Sequence, residues 1–168
     1  MAEAYDRGVH SKARLFGHPL HPMVIPFPIA FLCGALVTDL VYWGTGDAFW
    51  ARMSLWLIVG GFVTAFAASV LGMIDFFTIP RARSHAAGWV HAVGNFAVIL
   101  LAILNAALRW PAPEARVLWG GLTLSAIVTV LLIVTGWVGG ELSYRYKIGV
   151  MDAPSPEAEQ QAMRRRAA

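Results

Sequence analysis

WARMSLWLIVGGFVTAFAASVLGMIDF, residues 50–76, decides what kind of chain this is. It runs for 27 residues with charges only near its ends, Arg52 and Asp75. As a helix rising 1.5 Å per residue it is about 40 Å long, enough to cross a hydrocarbon core about 30 Å thick. Three further segments share the pattern, at 22–43, 86–110 and 117–140. Of the 168 residues 58% are hydrophobic and 14% charged, where a soluble domain has about a quarter charged. The composition is that of an integral membrane protein with one compact domain.

The connections GTGDAF, FTIPRARSH and PAPEAR are short, so successive spans run antiparallel and an all-α, up-down-up-down four-helix bundle is expected. Trp43, Trp50, Trp110 and Trp119 stand at span ends, as an interfacial aromatic belt requires. Residues 1–16 read as a polar N-terminal segment without the apolar region of a cleavable signal, 17–150 as the four-span domain, and 151–168 as a polar tail, disordered or a short surface helix. No internal repeat is evident. Lys and Arg give the orientation. Ten lie in the N-terminal segment, the second connection and the C-terminal region; three, Arg52, Arg109 and Arg116, lie on the other side. The positive-inside rule then puts both termini in the cytoplasm. The net charge of +3 is therefore a topology signal, and nucleic acid is not an expected partner. Cys33, the single cysteine, excludes an internal disulfide and reads as a small packed hydrophobe.

Polar groups in a membrane are costly and gather inside a bundle or at its water-facing ends. At the expected cytoplasmic end His18 and His21 stand at the mouth of span 1, and Asp75 ends span 2 just after Gly72. His85 precedes span 3, His91 lies within it with Asn95 one turn deeper, and Glu141 ends span 4. His91 and Asn95, four apart, share a helix face; His85 falls on another, so His91 ranks above it as a ligand. Towards the other end lie Asp39, Asn105 and Arg109. An Asp39–Arg109 pair would neutralise charges that cost about 2.5–3.5 kcal/mol each at a helix centre, and it reads as structural. The entrance to span 1, GHPLHPMVIPFPIAFL at 17–32, carries four prolines. Pro26 and Pro28 lack amide hydrogens, which predicts unpaired carbonyls at Pro22 and Val24 and an irregular opening beside the histidines.

GHPLHPMVIPFPI, Asp39, GMIDF at 72–76, HAVGN at 91–95, NAALR at 105–109 and GWVGGELSYRY at 136–146 recur in order in one family. From residue 16 to 150 the chain resembles the bacterial inner-membrane proteins known as domain of unknown function 2231. The resemblance implies four spans in the inner membrane and, through relatives joined to or encoded near Rieske iron–sulfur or cytochrome components, a redox association. Relatives often read YRH where this chain has Tyr144, Arg145 and Tyr146, which argues against a required ligand at that point.

Three functions are expected to compete. The preferred one is a redox protein holding haem b between His21 and His91, with His18 and His85 as substitutes and Asn95 nearby, exchanging electrons with quinone or with a Rieske-type or cytochrome partner. It requires span 1 to bend or slide, since His91 counts as about 7 Å deeper than His21. The second is a non-haem transition-metal site built from His21, His91, Asp75 and Glu141. The third is a non-catalytic structural or assembly subunit in which the cluster is a polar plug, with no cofactor. Homo-oligomers in the bilayer fit all three. A proton wire is not expected, because FAVILLAIL separates Asn95 from Asn105. The glycine doublets lack the Lys and Ser or Thr of a phosphate loop, and no serine has a histidine at its depth for hydrolysis.

Overall fold

The structure is a computed structural model that describes residues 7–150 together with 160, 161 and 163–165. The tail 151–168 lies outside the described residues apart from those last five, which are helical. Two short strands, β1 (Arg14–Leu15) and β2 (His18–Pro19), precede α1 (Leu20–Val24) and α2 (Pro26–Thr45). There follow α3 (Ala48–Thr78), α4 (Pro80–Arg83), α5 (Ala86–Arg109), α6 (Pro113–Arg116), a π-helical turn at Val117–Gly121, and α7 (Leu122–Tyr144). Four apolar spans result, Leu20–Thr45, Ala48–Thr78, Ala86–Arg109 and Pro113–Tyr144. Each is long enough to satisfy every interior backbone group within itself, the condition for crossing lipid.

The four long helices pack as neighbours in the order α2, α3, α5, α7 and back to α2, so α2 and α5 lie on one diagonal of a square and α3 and α7 on the other. Leu32, Ile58, Val98, Ala102 and Val128 fill the middle of that square. Val37, Trp56, Phe66, Val93, Ile133 and Trp137 face outward on the four helices. So much apolar surface on every side suits lipid and no aqueous environment.

Span 1 opens in two pieces: α1 ends at Val24, and Pro26 opens α2 as its first residue, where a missing amide hydrogen costs nothing. Ile25 between them donates to the His21 carbonyl (3.1 Å). The third connection is not a plain loop: Pro113 opens a helical turn, and a kink with non-helical backbone at Trp119 and Gly120 (φ 125°) joins it to α7.

The polar N-terminal segment is docked rather than loose. Asp75, at the end of α3, accepts from the Ser11 hydroxyl (2.6 Å) and from the amides of Lys12 (2.6 Å) and Ala13 (3.1 Å). Val9 bridges to Ile148, and Ala13 accepts from the Leu20 amide (2.9 Å), so the strap crosses the end of the bundle. Hydrogen bonds to a charged acceptor contribute about 1.5–3 kcal/mol. Asp75→Ala should therefore speed amide hydrogen exchange at Lys12 and Ala13 at least tenfold while the spans stay protected. Unchanged exchange at those two amides would show that the strap is held by other contacts.

An unexpected correspondence links the two helical hairpins. The same 70-residue interval separates Asp39 from Arg109 and His21 from His91. The matching pairs lie on α2 with α1, and on α5, the two diagonal helices. The two hairpins therefore carry these residues at matching positions on diagonal helices around the bundle axis, although their sequences diverge at almost every other position.

Candidate functional site

Two polar clusters occupy that axis. The inner one is a saturated ion pair. Arg109 Nη1 and Nη2 donate to the two Asp39 carboxylate oxygens at 2.6 and 2.7 Å, and both side chains have zero exposure. Arg109 Nε donates to Asn105 Oδ1 (2.8 Å), Nη1 also to Ser54 Oγ (2.8 Å) and Nη2 also to Ser125 Oγ (3.0 Å). A guanidinium has five N–H donors, and all five are used. Ser125 in turn donates to Asp39 (2.7 Å), and Ser54 to the Ala35 carbonyl (3.2 Å). The cluster draws on all four spans, excludes solvent and, among the described residues, leaves no buried side-chain nitrogen or oxygen without a partner. Such a group fixes helix register and offers nothing to a substrate.

The other cluster is not saturated. His21, in the second position of α1, packs on α3, where its Nδ1 lies 2.8 Å from the Ala68 carbonyl oxygen. His91, on α5, packs on α7 in the same way, with Nδ1 2.9 Å from the Thr135 carbonyl oxygen. A carbonyl can only accept, so each Nδ1 carries the proton and each Nε2 presents a lone pair at the opposite ring edge. Asn95 supports this arrangement: its amide nitrogen donates to the His91 carbonyl (2.8 Å), and its oxygen accepts from the Thr135 hydroxyl (3.4 Å). Each ring fills a notch left by a glycine four residues beyond its carbonyl partner. A Cβ on Gly72 would lie 3.0 Å from His21 Nδ1, and one on Gly139 would lie 2.7 Å from His91 Cε1.

The two rings meet, with centroids 6.1 Å apart and planes at 84°. Among the described residues neither Nε2 has a protein partner, and neither is sealed from its surroundings. His21 and His91 come into contact for a reason the numbering contains. Arg109 fixes the level of α5 against Asp39 on α2, and each histidine stands 18 residues before its member of that ion pair.

The remaining candidates stand elsewhere. Asp75 is committed to the strap. Glu141 takes a salt bridge from Arg145 (2.7 Å), whose hydrogen bond holds the guanidinium pKa above its ordinary value. His18 is exposed on β2 opposite Leu15. His85 precedes α5 and stacks on Tyr146, 4.1 Å between centroids. No group of three or more His, Cys, Asp or Glu side chains converges among the described residues. The four-residue metal set is therefore reduced to two imidazoles.

The model of the family described as predicted membrane protein DUF2231 matches residues 17–152. The chain belongs to the DUF2231 family. No curated protein and no solved structure is found to match it. In this DUF2231 protein the match takes in both clusters and the four spans, and begins at Gly17, after most of the Asp75-bound strap. Sequence reasoning missed Ala68, Thr135 and Gly139 as the residues that orient the histidines. The signal was there: His21 and His91, and Gly72 and Gly139, recur at nearly equal intervals.

Proposed function

We propose that this protein is a redox-active membrane protein whose metal is held on the bundle axis between Nε2 of His21 and Nε2 of His91. The observation that carries the reading is the pair of Nδ1–carbonyl hydrogen bonds, which fixes both rings in the ligand tautomer 6.1 Å apart. Two metal–nitrogen bonds of about 2.0 Å, with the half-width of each ring, span roughly 6 Å between centroids. The backbone carbonyls act as the outer-shell acceptors that orient metal-bound imidazoles elsewhere.

Two neutral imidazoles with no carboxylate suit a monovalent, two-coordinate ion, and copper(I) is the ion that this donor set fits best. Its Born cost in a low-dielectric site is about a quarter of that of a divalent ion, because the cost scales with charge squared. Bound there, copper would supply one-electron transfer. Haem b is the second reading, because axial ligation requires the same ring spacing. Against it stands the packing: the rings themselves occupy the Gly72 and Gly139 notches, held against α3 and α7. The excess of Lys and Arg at that end supports a site at the cytoplasmic face of a bacterial inner membrane, where quinone or Rieske-type or cytochrome partners are the proposed electron carriers.

The test is elemental analysis and a visible spectrum of detergent-purified protein, with and without dithionite, after expression with ample copper and haem supply. Close to one copper per chain and no Soret band supports the ion. A Soret band with sharp α and β bands on reduction replaces it with haem b. Neither metal nor haem leaves the polar plug as the role of the cluster. Gly139→Ala is expected to lower metal affinity 10–100-fold by displacing the His91 ring from Thr135, and Gly72→Ala to lower it less, since its clash is milder. Equal affinity in Gly139→Ala and wild type would contradict the role given to the notch.

A further inference from the structure

A second feature, independent of the histidine pair, lies at the edge of the bundle. β1 and β2 pair with Arg14 opposite Pro19 and Leu15 opposite His18, joined by the two-residue turn Phe16–Gly17. Both turn residues have positive φ, 49° and 84°, the pattern of a type I′ hairpin. The first position of such a turn favours Asn, Asp or Gly; a bulky side chain there is strained. Here it is Phe, and the ring is 92% exposed. Leu15 beside it is 55% exposed. A strained backbone that displays a bare aromatic ring gains nothing for the fold itself.

The hairpin is held at one level. Asp75 fixes Ser11, Lys12 and Ala13 at its root, and β2 leads within one residue into α1, where the first span begins. Phe16 is thus four residues from the end of a membrane span, at the depth of the headgroups. Exposed Lys12 and Arg14 flank the apolar tip. We propose that the hairpin is a membrane-surface anchor: Leu15 and Phe16 enter the headgroup boundary, and Lys12 and Arg14 bind the phosphates of anionic lipids. Apolar residues at the tip with cations behind them form the pattern that binds an anionic leaflet, each cation strengthening attraction near the surface.

The test places a single environment-sensitive fluorophore on Phe16→Cys in a Cys33→Ala background, in vesicles of phosphatidylcholine with or without phosphatidylglycerol. The anchor predicts blue-shifted emission, quenching by lipids spin-labelled near the headgroup, and at least a threefold lower iodide quenching constant than for the free dye. It also predicts deeper burial with phosphatidylglycerol, lost in Lys12→Gln/Arg14→Gln. Strong iodide quenching without lipid quenching would overturn it, since the tip then faces water. Shielding from both quenchers would also overturn it, in favour of a protein contact.

Discussion

Arg109→Met is expected to destabilise the bundle by about 3–5 kcal/mol, the cost of leaving one member of a buried ion pair without its partner. The Asp39 carboxylate would remain at zero exposure, among apolar helices, with only the Ser125 hydroxyl to satisfy it. Lipid offers no water to relieve that charge, so the helices must part or the carboxylate must take up a proton. Asp39→Leu/Arg109→Met removes both charges and should recover most of the loss. A remainder of about 1–2 kcal/mol is expected, because Asn105 Oδ1 loses its donor and Ser125 its acceptor. Unfolding in mixed detergent–dodecyl sulfate micelles, followed by far-ultraviolet circular dichroism, reads both variants and gives the coupling energy of the pair. A single Arg109→Met variant within 1 kcal/mol of wild type would mean that the register is set by the apolar core alone.

That pair also shows how far the sequence could be read. Length and hydropathy dictate four spans, since nothing but a helix satisfies its own backbone in lipid, and short connections dictate antiparallel neighbours. Asp39 and Arg109 could be paired from depth alone, because each is the lone charge in the outer part of its span. Ser54 and Ser125 could not, as a hydroxyl costs little in a helix and leaves no mark on hydropathy. The histidines were legible as a group, but their contact was not. Counting from the span ends treats the bundle as flush, whereas the ion pair sets the stagger. Once Asp39 and Arg109 are aligned, the shared interval of 18 residues brings His21 and His91 together. Asp75 and Glu141 were grouped with them because depth is visible in a sequence and azimuth around a bundle is not. Asp75 faces the strap, whose docking rests on Ser11 and on two backbone amides that carry no sequence signature.

The four histidines of the expected site should separate cleanly once metal content is measured variant by variant. His21→Ala and His91→Ala should each reduce bound metal to background, since one imidazole cannot replace the pair. His18→Ala and His85→Ala should keep wild-type stoichiometry, because His18 sits exposed on the hairpin and His85 is stacked on Tyr146. Folding is not expected to confuse the result. The Asp39–Arg109 cluster and the apolar core are untouched, and losing one imidazole donor to a helix carbonyl removes only about 1 kcal/mol. Size-exclusion behaviour and helicity should therefore match wild type. Asn95→Ala adds an intermediate case: it releases Thr135 and the His91 carbonyl without removing a ligand, so affinity should fall while stoichiometry at saturating metal is retained. Stoichiometric metal in a folded His91→Ala variant would disprove the axial site outright. Loss in His85→Ala instead would move the ligand set to the His85–Tyr146 face, away from the bundle axis. The proposal therefore depends on which pair fails, and a metal shared between two imidazoles requires that His21 and His91 fail together.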